Sequence, residues 1–338
     1  MADLPECDYL NPGAYKFDKD LTKMSNIKYE LRVKGLSVPD GTIPVRALLE
    51  LLQGLVDTAE RGLRLAVEGE SVKRGKAPAW IAAATNLNFT GLKTGSTILG
   101  IEAPKFRDTI AGRLENQSHH FFPVAPEDTA LSLVSRSIRD ATMENRESDY
   151  FDAGVLNGVL ELAPFLKNYA SSFALFSEGN LTPEFELSAS GMETVEKLKR
   201  ETPEPQAFIV TGMLDEIEHS NRRFQLSLAD GNSVPGRIDE EFMTVEELRN
   251  FWGKSVTIKG TVYFKPSGKV QLLESHLVRA AEPGEELFNE LPVADSTPEL
   301  FEPSQLKQGY VSPFKEVRGQ WPGDESLETI LGALRASA

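Results

Sequence analysis

The sequence predicts an α+β protein: an N-terminal mixed α+β domain, a small five-stranded β-barrel after it, and an extended C-terminal tail. Three observations carry that reading. Strand and helix periods mix irregularly as far as residue 200, too irregularly for a doubly wound nucleotide fold. From 207 to 281 a period-two alternation dominates. Beyond that, prolines punctuate a stretch with no period until its last turns. The expected boundaries are an arm at 1–25, a domain at 26–200, a barrel at 207–281 and a tail at 282–338.

Ile27 to Val33 places Ile27, Tyr29, Leu31 and Val33 on one side, as a half-buried strand does. Asp40-Gly41 marks a turn, and Pro44 suits the first turn of a helix. Val45, Leu48, Leu49, Leu52, Leu55, Val56, Ala59 and Leu63 follow at helical spacing, giving the best amphipathic helix in the chain. Val67 to Pro78 reads as loop. Ala79–Thr90 and Thr97–Ala103 read as two strands joined through Lys93-Thr94-Gly95-Ser96. Helices are expected over Asp128–Met143 and Asp152–Tyr169, the second interrupted by Pro164. Two short strands over Ser172–Ser188 divide at Glu178-Gly179-Asn180, and Glu201-Thr-Pro-Glu-Pro205 is a linker by composition.

The barrel segment opens with strands at Ala207–His219, Arg222–Ala229 and Ser233–Ile238, the last two turned by Asp230-Gly231. Thr244-Val-Glu-Glu247 is a capping box, starting a short helix that runs to Trp252 with Gly253 as its stop. Ser255–Phe264 and Lys269–Arg279 complete the set across the Lys265-Pro-Ser-Gly268 turn. The order β-β-β-α-β-β resembles the OB fold, with an SH3-like barrel as the rival.

Six prolines (283, 292, 298, 303, 313 and 322) punctuate the tail, so it builds no core of its own. At its end Leu327, Ile330, Leu331 and Leu334 fall at i, i+3, i+4 and i+7, with Asp324, Glu325 or Ser326 as cap. A helix of about ten residues does not persist alone in water, so this one docks on a surface.

Composition narrows the function. A net charge of −15 opposes a grip on bare phosphate and attracts a basic partner. The lone Cys7, set between Glu6 and Asp8, excludes an internal disulfide and a cysteine-rich zinc site and suits a reducing compartment. The opening residues lack the basic and apolar regions of a signal peptide, and no apolar run nears the ~20 residues of a membrane span. The expected location is the cytoplasm.

No assembled active site is legible. Gly253-Lys254-Ser255 ends like a phosphate-binding loop, but Leu248 stands where that motif needs glycine, and helix leads into strand rather than the reverse. The His119-His120 side chains diverge, and His219 and His276 read as surface histidines, so no metal or cofactor is expected. Glu184 and Glu186 share an exposed strand face. The barrel carries nine Lys/Arg against ten Asp/Glu, and only Arg223, Lys259 and Tyr263 offer a basic-aromatic patch for single-stranded nucleic acid. Such binding is expected to be weak.

The closing stretch, Gly319-Gln-Trp-Pro-Gly-Asp-Glu-Ser-Leu-Glu-Thr-Ile-Leu-Gly-Ala-Leu334, resembles the C-terminal tails of antitoxin-type proteins paired with bacterial PIN-domain ribonucleases. The resemblance implies a tail that covers the nuclease. Trp321, Leu327, Ile330, Leu331 and Leu334 would be its anchors, and Arg318 or Arg335 would reach the acidic metal site. No helix-turn-helix or ribbon-helix-helix segment is evident, which departs from that pattern and removes support for transcriptional autoregulation. The resulting expectation is a non-enzymatic protein-binding protein. The alternative is an OB-fold accessory to nucleic acid or a nucleoprotein assembly.

Overall fold

The computed structural model describes residues 26–39, 41–73, 75, 77–93, 97–114, 122–218, 222–239 and 242–294. The N-terminal arm, Cys7, the His119-His120 pair, His219 and the tail from 295 lie outside the described residues. So do Arg318, Trp321, Leu327, Ile330, Leu331, Leu334 and Arg335.

The first half is built on an antiparallel sheet. Strand β1 (Ile27–Lys34) buries Tyr29, Leu31 and Val33 on one face and turns Lys28, Glu30, Arg32 and Lys34 to the other. Helix α1 (Val45–Glu68) buries Leu51, Leu55, Ala59 and Leu63 in the same core, while Val45 and Leu49, off the stripe, stay exposed. It outruns the expected end at Leu63 because Leu65, Ala66 and Val67 are also buried, and it stops at Gly69 in the left-handed conformation.

The chain then corrects one expectation. Ala79–Ala84 is a helix, α2, not the start of a strand. Pro78 precedes it, and its alanines give an apolar run without alternation, which fits a short helix as well as a strand. Strand β2 (Asn88–Lys93) begins only afterwards and pairs with β3 (Ile98–Ala103). Two single-turn helices, α3 (Phe106–Thr109) and α4 (Ala111–Leu114), follow.

Helix α5 (Ala130–Thr142) is capped by Thr129, whose hydroxyl also meets the buried Tyr29 hydroxyl at 2.8 Å. The long helix expected next breaks into α6 (Ala153–Leu160), capped by Asp152, and α7 (Ala163–Asn168), which has Pro164 in its first turn. Helices α1 and α6 approach closely. A Cβ on Gly54 of α1 would fall 2.6 Å from Leu162, just beyond α6. Strands β4 (Ser172–Ser177) and β5 (Phe185–Ser188) complete the sheet in the order β2-β3-β1-β4-β5, and α8 (Ala189–Glu201) closes the domain.

After Thr202–Pro205 the chain enters a closed barrel with a second, separate core. Its strands are β6 (Gln206–Glu218), β7 (Arg223–Ser227), β8 (Ser233–Ile238), β9 (Ser255–Phe264) and β10 (Val270–Ala280). The barrel order is β10-β8-β7-β6-β9. Strand β8 runs parallel to β10 while the other pairs are antiparallel, the OB-like connectivity. Long β6 serves two neighbours, pairing with β9 through Met213 and with β7 from Met213 on, across a bulge at Leu214/Glu216. Gly260 permits the tight β9–β10 contact, since a Cβ there would fall 2.1 Å from the Glu274 carbonyl oxygen.

Helix α9 (Val245–Arg249) carries the expected capping box. The Glu247 carboxylate accepts from the Thr244 N–H at 2.8 Å, and the Thr244 hydroxyl accepts from the Glu247 N–H at 3.3 Å. The helix ends at Arg249, earlier than expected. Gly253 instead returns the chain to β6, donating its N–H to the Leu214 carbonyl at 2.8 Å.

The segment after β10 stays on the barrel as far as Ala294. Thr257 donates to Glu285 at 2.7 Å, Asn289 accepts from the Ala229 N–H at 2.6 Å, and Leu291 and Ala294 pack against the barrel core. Among the described residues no helix is long and apolar enough to cross a membrane.

Candidate functional site: the outer surface of the barrel

Strand alternation sends every second barrel side chain outward, and two parts of that outer surface differ in what they meet. On the β7–β8–β10 side the register places Arg223 beside Arg237 and Arg237 beside Glu274. Arg237 is almost fully buried. Its guanidinium pairs with Glu70 of the α+β domain at 2.7 Å and with Glu274 of its own barrel. Burial acts to lower the Arg237 pKa, but hydrogen bonds and charge from Glu70 and Glu274 outweigh it and raise the value above the ordinary arginine range. The Tyr263 hydroxyl donates to Glu274 at 3.1 Å, and burial followed by the charges of Glu274 and Glu70 raises its pKa, so it stays protonated.

The rim of this contact is also charged. Lys265 reaches Asp149 at 2.6 Å and Lys269 reaches Glu147 at 2.9 Å, so the β9–β10 turn is fastened to the α+β domain. Beside it lies a cleft of about 350 Å³, lined among others by Ser71, Asp152, Asn157, Lys199 and Tyr263. The Asp152 carboxylate is committed to backbone, accepting from the Val155 and Ser71 N–H groups at 2.8 and 3.0 Å. Among the described residues no cluster of three His, Cys, Asp or Glu side chains is arranged to hold a metal.

The three residues predicted for nucleic acid separate in this geometry. Arg223 and Tyr263 are joined through Arg237 and Glu274 on the side facing the α+β domain. Burial lowers the Arg223 pKa to about 10. Lys259 is exposed and sits in register with Ile209 and Leu277. The carboxylates of Glu184 and Glu186 take Ser177 and Lys34 as partners on the open face of the sheet.

The second part of the barrel surface was not foreseen as a site. Between α9 and the second half of β6 runs a groove of about 550 Å³. Ile217, Val245 and Trp252 supply its apolar walls, and Asp215, Glu216, Glu246 and Arg249 its polar ones. The Trp252 indole N–H donates to the Asp215 carbonyl at 2.9 Å, which fixes the ring, yet the residue is 65% exposed. Phe242, Met213, Leu277 and Ile209 are further exposed apolar side chains of the barrel. The available signal was the tryptophan itself: the sequence reading ends the short helix there, whereas the helix stops at Arg249 and leaves Trp252 exposed.

Compared with protein-family models, curated proteins and solved structures, the chain gives no match.

Proposed function

We propose that this chain is a non-catalytic protein-binding protein of the cytoplasm, and that its partner is a nuclease of the PIN type, restrained through the C-terminal tail. The observation that carries the protein-binding part is the contrast across the barrel surface. The face on which an OB-like barrel would lay a nucleic-acid strand is occupied by Arg237, Tyr263 and the carboxylates of Glu70 and Glu274. Aromatic and aliphatic side chains remain exposed elsewhere, the composition favoured at protein interfaces rather than phosphate grooves. The net charge of −15 supports the same choice. The nuclease identity rests on the Trp-Pro-Gly-Asp-Glu phrase and the Leu327/Ile330/Leu331/Leu334 stripe of the sequence.

Affinity capture with the full chain from its native host tests the reading. A specific protein should be recovered, and recovery should fall sharply with Trp321→Ala or Leu331→Ala, because aromatic and buried aliphatic anchors dominate such contacts. If the partner is a nuclease, loss of inhibition with retained binding in Arg318→Ala or Arg335→Ala assigns that arginine to its acidic site. Sub-micromolar binding of single-stranded DNA or RNA at physiological salt, abolished by changing Lys259 and Tyr263 to alanine, would replace this reading with the nucleic-acid accessory role.

A further inference from the structure

We propose that the groove between α9 and β6 is a second docking site, which takes a short segment of a partner protein carrying an arginine or lysine beside an aliphatic residue. The inference rests on the protein-binding reading above but not on the tail, which lies outside the described residues.

Four features of the groove point to that occupant. Its floor is apolar, with Ile217 and Val245 half-buried and leaning on the barrel core, so an aliphatic side chain laid there loses water on both surfaces. One wall is the Trp252 indole. Its only polar atom is already satisfied by the Asp215 carbonyl, so the ring face offers a quadrupole and no hydrogen-bonding demand, the condition for holding a cation. The rim carries Asp215 and Glu216 of β6, the Asp215 carboxylate accepting from the Ser227 hydroxyl at 3.2 Å, beside the guanidinium of Arg249. That balance repels phosphate and acidic peptides and attracts a basic one. Arg249 adds direction: the cationic residue of the segment belongs toward Asp215 and Glu216 on β6, away from the Arg249 guanidinium.

The groove's size agrees. About 550 Å³ holds a few side chains of an extended segment, not a folded domain. The rest of the contact would spread onto the neighbouring barrel surface, where Met213 is about half exposed.

The test uses the full chain and short fluorescein-labelled peptides in which leucine alternates with arginine, with glutamine or with glutamate, titrated by fluorescence anisotropy. The arginine peptide should bind about tenfold tighter than the glutamine peptide, and the glutamate peptide should not bind. Trp252→Ala and Glu216→Lys should each weaken the arginine peptide about tenfold, with melting temperatures unchanged. Glu193→Lys on α8, an equal charge change on the other domain, should leave binding alone. If Trp252→Ala disturbs melting, Glu216→Lys, at an exposed position, decides. Equal binding of the three peptides overturns the proposal, as does equal loss from Glu193→Lys and Glu216→Lys, which would reduce the effect to net charge.

Capture from the host separates this failure from failure of the tail reading. Partner recovery lost with Trp252→Ala and kept with Trp321→Ala sustains the groove and removes the tail. Recovery kept with Trp252→Ala, without selective peptide binding, removes the groove and leaves the tail reading in place.

Discussion

The two sides of the barrel are made by the same rule and end in opposite states. Strands β7, β8 and β10 carry Arg223, Arg237 and Glu274 side by side, and Arg237 is buried where Glu70 comes from the other domain to meet it. Strand β6 and α9 leave Ile217, Val245 and Trp252 around a groove, and among the described residues nothing covers the tryptophan. A buried ion pair that loses one member leaves an uncompensated charge, whereas an exposed aromatic already stands partly in water. The comparison therefore separates a side whose residues hold the molecule together from a side whose residues are free to serve something else.

The sharpest way to break that separation is Arg237→Ala. It would leave Glu70 and Glu274 buried without their cation, and the expected cost is about 3–5 kcal/mol. Urea unfolding should show it as a lowered midpoint. A loss below about 1 kcal/mol would mean that water reaches the pair and that this side is no more structural than the other.

Much of this architecture was readable from residues close in sequence. Alternation placed all five barrel strands, with Phe224, Leu226, Ile258 and Val262 in the core, and the Thr244–Glu247 capping box fixed the start of α9. Pro164 marked a helix break because the pattern and the missing N–H act locally. What failed needed distant information. Arg237 looks like a solvent-facing strand residue until Glu70, far upstream, is placed beside it. The segment Ala79–Ala84 is an apolar run whose period is too short to choose between helix and strand. The parallel β8–β10 pairing, which separates an OB-like barrel from its rival, has no sequence signature at all.

Two milder substitutions sharpen the comparison within each side. Lys265→Ala removes a rim pair whose Asp149 side chain is largely in solvent, so it should cost only about 0.2–1 kcal/mol. Trp252→Ala should likewise stay within about 1 kcal/mol, because the residue is mostly exposed and its loss creates no cavity. Both are read from denaturant midpoints at unchanged slope. A Trp252→Ala cost of several kcal/mol would make the indole a structural cover for the barrel core and remove the contrast between the two sides.

The smallest expected effect concerns where the barrel ends. A boundary at 281 leaves out contacts that run on to Ala294, and Glu285 makes the most specific of them, taking Arg279, the Glu282 N–H and the Thr257 hydroxyl. Those partners, Arg279 foremost, hold its carboxyl at about 2 against an ordinary 4.5. A pKa depressed by folding means the native state favours the ionised form, so its contribution is present above about 4.5 and is lost as pH falls through about 2. Glu285→Gln should therefore melt slightly below the unmodified chain near neutral pH, by an amount that salt reduces. The gap should narrow as pH falls below 4.5 and close near 2. Melting curves taken across that window check the sign. A gap that persists unchanged to the lowest pH would show that the carboxylate charge is not what fastens the segment. The Asn289 contact and the packing of Leu291 and Ala294 on the barrel core would then be what holds it.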